Sequence, residues 1–126
     1  MKRTTLGALA VVAVITLAVA ESAFGHGSSP PTLKGIVGPG YSISLKKAGQ
    51  RVMTLKPGSY TFAITDKSSF HNFTLEQEKG GKFEKHLTFT AFKGTAKPVT
   101  IRLRPGKWKY YCSVHESQMF GFFKVT

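Results

Sequence analysis

Cys112, His115 and Met119 fall within one short segment, Cys112-Ser113-Val114-His115-Glu116-Ser117-Gln118-Met119, near the C-terminal end of the chain. One thiolate, one imidazole and one thioether so spaced suit a copper ion that changes oxidation state, because sulfur ligands favour Cu(I) and imidazole accepts both states. Cys112 is the only cysteine. It has no partner for an internal disulfide, and the three or four thiolates of a usual structural zinc site are absent. A redox copper site needs a second imidazole, and parity supplies a candidate upstream.

The segments that must position these groups have period two. Tyr41, Ile43 and Leu45 alternate with Ser42 and Ser44, Tyr60, Phe62 and Ile64 with Thr61, Ala63 and Thr65, and Val99, Ile101 and Leu103 with Thr100, Arg102 and Arg104. Each reads as a half-buried strand. Turn signals punctuate them at Gly38-Pro39-Gly40, Pro57-Gly58, Gly80-Gly81, Lys93-Gly94 and Pro105-Gly106, and no stretch after the N-terminal segment has a good helical period. The expectation is an all-β, antiparallel two-sheet Greek-key sandwich of seven or eight strands.

Within it, Trp108, Tyr110 and Cys112 share an inward face, and Lys107, Lys109 and Tyr111 point outward. His71 shares a face with Phe73 and Leu75 and so also points inward, completing the set His71, Cys112, His115 and Met119. The alternation from Phe83 to Ala91 places Phe83, Lys85, Leu87, Phe89 and Ala91 on one face and His86 on the polar one, where it faces solvent and is no ligand. Met53 is assigned to the core and His26 to a bystander role.

Lys2 and Arg3 precede an apolar run, Leu6 to Val19, and then Ala18-Val19-Ala20. This order reads as a secretory signal over residues 1–20, with an uncleaved membrane anchor as the alternative. Residues 21–31 read as a flexible lead-in and 32–126 as the copper-binding domain. The chain carries a net charge of +12, and loss of Lys2 and Arg3 lowers this by two. The basic residues never run longer than two, which argues against a nucleic-acid footprint and for acidic protein partners, anionic lipid or cell-wall polymer.

His71-Asn72-Phe73 and Tyr110-Tyr111-Cys112-Ser113-Val114-His115, followed by Met119 and Gly121, resemble the cupredoxins, the small blue copper proteins such as plastocyanin, pseudoazurin, azurin and amicyanin. The resemblance implies one type 1 copper ion with His71, Cys112 and His115 as strong ligands and Met119 on the axis. It implies a hydrogen bond from Asn72 to Ser113 that ties the two ligand segments, and an apolar patch through which His115 meets a partner. Tyr111 matches a surface aromatic that plastocyanins use near a docking patch. The basic charge departs from the acidic patches of plant plastocyanins, so no chloroplast partner is inferred.

The function expected is an exported, monomeric, single-copper electron carrier, periplasmic or extracellular, without substrate turnover of its own. Its partners would be redox proteins with an acidic docking surface, with peripheral attraction to anionic membrane or cell wall and no nucleic acid. A single cysteine excludes a binuclear copper centre with two bridging thiolates, and four histidines are too few for a trinuclear site beside this one. A copper-delivery protein is the alternative, though delivery favours exposed Met and His clusters and only Met53 and Met119 follow the signal.

Overall fold

In a computed structural model, residues 27–126 are described, and the expected signal over 1–20 and most of the expected lead-in over 21–31 lie outside them. Eleven strands follow in chain order: β1 (Thr32–Val37), β2 (Ile43–Lys47), β3 (Gln50–Arg51), β4 (Thr54–Leu55), β5 (Gly58–Asp66), β6 (Thr74–Lys79), β7 (Phe83–His86), β8 (Gly94–Thr95), β9 (Val99–Leu103), β10 (Gly106–Tyr111) and β11 (Phe120–Val125). Three of these are two-residue pieces at sheet margins. They account for much of the excess over the seven or eight expected.

The first sheet runs β3-β2-β1-β5, with β8 and β9 both paired to β5, and the second runs β4-β11-β10-β6-β7. The sheets are mixed where an antiparallel sandwich was expected. β1 lies parallel to β5, and β11 parallel to β4. The reason is the path of the chain. After the β1–β2 hairpin it crosses to the second sheet at β4, then returns as β5 on the free side of β1 and in the same direction.

Alternation holds best where strands are central. In β1 every second residue is buried, and Tyr60, Phe62 and Ile64 of β5 point into a core with Leu33, Leu45, Phe73, Leu75, Trp108 and Phe123. Burial of each such side chain contributes about 1.5–3 kcal/mol, which holds the two sheets face to face.

Several expectations fail at margins and on outer faces. Tyr41 precedes β2 and is 62 % exposed, because the turn at Gly38-Pro39-Gly40 carries the chain past the sheet edge. Met53 is 59 % exposed, since the short β4 at the sheet margin leaves it uncovered. β7 ends at His86, so Phe89 escapes the expected apolar face and is exposed, while Leu87 and Thr88 turn inward with both backbone N–H groups on the Phe73 carbonyl. His86 is exposed.

Tyr111 points outward but is only 6 % exposed, and Lys109 beside it 8 %. The outer face of β10 is covered by its neighbours: Phe120 and Phe122 of β11 lie near the Lys109 ammonium, which also pairs with Glu78 and Glu116. The Tyr111 hydroxyl donates to Glu84 at 3.1 Å. Tyr111 is therefore not a surface aromatic.

Gly35 of β1 is where the first sheet admits the ring that supports the ligand segment. A β-carbon there would press on the Ile64 methyl and come within 2.8 Å of the Phe73 ring, which itself stacks on Tyr110 at 5.8 Å. Gly35→Ala is predicted to lower the unfolding free energy by about 1–3 kcal/mol through overpacking, measured by urea denaturation. An unchanged midpoint would mean that the Phe73 ring is free to move.

Candidate metal centre

The Cys112–Met119 segment is closed by its own backbone. Cys112 N–H donates to Met119 O at 3.0 Å, extending the β10–β11 ladder by one rung beyond the Tyr111–Phe120 pair. Inside the loop, His115 N–H reaches Cys112 O at 3.2 Å, and Gln118 and Met119 N–H reach His115 O at 3.0 and 2.9 Å. These turns put Cys112 and Met119 together at the neck and His115 at the bend. Cys112 and Met119 are both fully buried and belong to the core cluster.

His71 comes from the connection between β5 and β6 and is 5 % exposed. The structure brings it together with Cys112 and His115. The two Nδ1 atoms are 3.0 Å apart, and Cys112 Sγ lies 3.8 Å from Nδ1 of His71 and 3.9 Å from that of His115. A point equidistant from the three lies about 2 Å from each, the length of a metal–nitrogen bond and slightly under that of a metal–sulfur bond. Both Nδ1 atoms can present a lone pair to an ion held between them. The donor set of two imidazoles and one thiolate fits copper or another soft to borderline ion.

Asn72 binds the two ligand segments. Its side-chain amide donates to Ser113 Oγ at 2.7 Å, and its carbonyl oxygen accepts Ser113 N–H at 2.9 Å. Its backbone N–H points at Cys112 Sγ, 3.5 Å away. Thr74 Oγ1 donates to the same carbonyl oxygen at 3.2 Å and shares a 2.7 Å bond with His86 Nδ1. His86 thus supports the site from outside without joining it.

A second brace comes from Asp66, 1 % exposed at the end of β5. One carboxylate oxygen accepts Ser68 N–H at 3.1 Å and the other the Thr88 hydroxyl at 2.9 Å, while Thr88 Oγ1 accepts Phe73 N–H at 2.8 Å. The β5–β6 and β7–β8 connections are joined by one buried carboxylate. Sequence reasoning missed this pair, although a signal was present: Asp66 falls at the inward parity of Tyr60, Phe62 and Ile64, where a charge requires partners.

Tyr41 was also missed as a site residue. Its ring lies edge-on to His115 at 5.0 Å and tilted over His71 at 5.6 Å, with Phe70 and Val114 exposed nearby across a shallow groove. The only available signal was its place directly after a tight turn.

Removing the Asn72 amide strands more partners than removing the Ser113 hydroxyl. Asn72→Ala is predicted to cost about 1–3 kcal/mol and Ser113→Ala about 1 kcal/mol, read by chemical denaturation. Equal costs would show that Ser113 N–H and Thr74 are satisfied without Asn72. Burial first, and the bond to Glu84 second, raise the Tyr111 phenol above its ordinary value of 10.0. In an ultraviolet titration a phenol step should therefore lie well above the ordinary value, and Tyr111→Phe should remove that late step. The fold favours the neutral phenol, so its stabilisation is complete below pH about 10 and is lost as pH rises toward the raised value. A Tyr111→Phe variant with the same late step would reassign it.

No family model and no curated protein matches the chain. Solved structures do. A methionine-to-glutamine variant of rusticyanin aligns with TM-score 0.50 and 16 % identity, over 75 % of this chain and 76 % of that one. A proline-to-glycine variant of amicyanin in its reduced Cu(I) form at pH 4 aligns with TM-score 0.50 and 16 % identity, over 79 % of this chain and 87 % of that one. Two mixed sheets packed face to face, joined by loops that gather His71, Cys112 and His115 at one end, give this chain the fold of the cupredoxins.

Proposed function

We propose that the protein is an exported carrier of single electrons that holds one copper ion between His71 Nδ1, Cys112 Sγ and His115 Nδ1. The observation that carries this is the triangle of those atoms, with sides of 3.0, 3.8 and 3.9 Å. Copper would supply the one-electron Cu(I)/Cu(II) couple. The chain's part is to keep the donors in place whichever state is held, so that little rearranges when an electron passes. Met119 is assigned the axial position, a reading supported by its complete burial and its backbone bond to Cys112.

His115 is the partly exposed ligand, and Tyr41, Phe70 and Val114 give its surroundings an apolar surface. That end of the sandwich is the proposed contact with a redox partner. Tyr111, being covered, is given no part in it. The net positive charge favours a partner with an acidic docking surface. Export to the periplasm or extracellular space, as a monomer, rests on the composition of residues 1–20 and on the small size of the domain. Copper delivery is less well supported, because a metal that must leave readily needs exposed donors and Cys112, His71 and Met119 are buried.

Titration of the purified protein with Cu(II) is predicted to give an intense blue thiolate-to-copper absorption that a mild reductant bleaches reversibly. Cys112→Ser should abolish the band, and Met119→Gln should leave copper bound while lowering the reduction potential. A colourless Cu(II) complex would sink the carrier reading, and an unchanged potential in Met119→Gln would remove Met119 from the axis.

A further inference from the structure

The outward face of the first sheet carries positive charges in directly opposed positions. Lys34 of β1 pairs with Lys46 of β2, and Lys46 pairs with Arg51 of β3. Lys34 is exposed between buried Leu33 and Gly35, and its cross-strand neighbour Lys46 and Arg51 beyond it are exposed too, so all three side chains stand on the solvent face. At a strand spacing of about 4.8 Å, three cations occupy a row roughly 10 Å long. Like charges placed directly opposite destabilise a sheet. An acidic residue at any one position would relieve this, and none is there.

No compensation comes from elsewhere among the described residues. Every ion pair there is formed by Lys107 or Lys109 with Glu78 or Glu116. Glu76, Glu78 and Glu84 lie on β6 and β7 of the second sheet, Glu116 lies in the loop between β10 and β11, and Asp66 is buried and bound. Further along the same outward face, Arg102 of β9 adds a fourth cation opposite Ser59.

The remainder of this face is built from short side chains, among them Thr61, Ala63, Thr65 and Thr100. Ile36, 36 % exposed, is its one large apolar group, whereas Tyr41, Phe70 and Val114 lie at the ligand end. A protein interface of useful affinity is anchored by buried aromatic or other large side chains, which are missing here. Cations standing over a low surface suit a planar array of phosphates reached without insertion.

We propose that this face seats the protein on an anionic phospholipid bilayer, with Lys34, Lys46 and Arg51 as the principal contacts and Arg102 as a flanking one. The row lies three residue pairs from the β1–β2 turn that carries Tyr41, about 10 Å along the strands. Seating by this flank leaves the His115 end clear of the lipid. The proposal does not depend on which metal, if any, the other end holds.

Residues 21–126, which contain every described strand and the whole described core, are sedimented with vesicles of equal parts phosphatidylglycerol and phosphatidylcholine, and with phosphatidylcholine alone. Binding is expected only with the anionic vesicles and should weaken as salt rises. Each cation at such a surface accounts for about a fivefold change in partition, so K34Q/K46Q/R51Q should lose on the order of a hundredfold. The charge-matched control K56Q/K79Q/K124Q, at exposed positions on or directly beside the strands of the second sheet, should lose far less, with circular dichroism showing both variants folded. Equal losses in the two variants would reduce the effect to net charge and overturn the assignment of this face. Absence of vesicle binding would overturn it too, as would binding to soluble polyglutamate without binding to vesicles.

Discussion

Two hydrogen bonds between Asn72 and Ser113, at 2.7 and 2.9 Å, hold together segments that are 41 residues apart in the chain and carry different corners of the ligand triangle. His71 precedes Asn72 and Cys112 precedes Ser113, so each bond acts one residue from a donor atom. Rotation of either segment would separate Nδ1 from Sγ. The amide suits this role because it donates with one end and accepts with the other, which fixes orientation as well as distance. Its carbonyl end also accepts from Thr74, so the first residue of β6 is tied to the loop that leaves β10.

That tie would be ineffective on a mobile base, and the base is the core. Phe73 follows Asn72, is fully buried, and stacks on Tyr110 two residues before Cys112. The ring reaches this position because Gly35 leaves room for it on the facing sheet. Asp66 and Thr88 then hold the Phe73 backbone from the other side. Packing sets the coarse separation of the two segments, and directed polar bonds set the fine geometry. Chemistry that needs donors within a few tenths of an ångström depends on both.

Central strands were legible in the sequence because both their faces obey one rule. Leu45, Phe62, Ile64 and Trp108 could be assigned inward from alternation, and so could Cys112. Three kinds of residue could not. Tyr111 and Lys109 were rightly placed outward, yet outward on a central strand is not exposed when Phe120, Phe122 and Glu84 lie across it. Met53 and Phe89 are apolar residues beside sheet margins or past strand ends, where no partner element covers them. Asp66 with Thr88 is a tertiary pairing, visible only once β5 and the turn after β7 are folded against each other. The sequence motif around Cys112 located one segment of the site, while the support beneath it was assembled by the fold.

The charge of the chain is likewise misread as a single number. A value of +12 suggests a uniformly cationic surface. In the folded domain the exposed or half-exposed glutamates gather on the second sheet and its adjoining loop, where Lys107 and Lys109 partly neutralise them and burial with Glu84 and Glu78 nearby raises the Glu76 carboxyl above its ordinary value. The outward face of the first sheet is left with cations and no acid beside them to offset them. Segregation of this kind gives the molecule a direction. A charged flank and an apolar end are then at right angles, so one surface can attract while another exchanges. Net charge alone could place such a protein near an anionic surface, but only its distribution over the sheets can decide which way the ligand end faces.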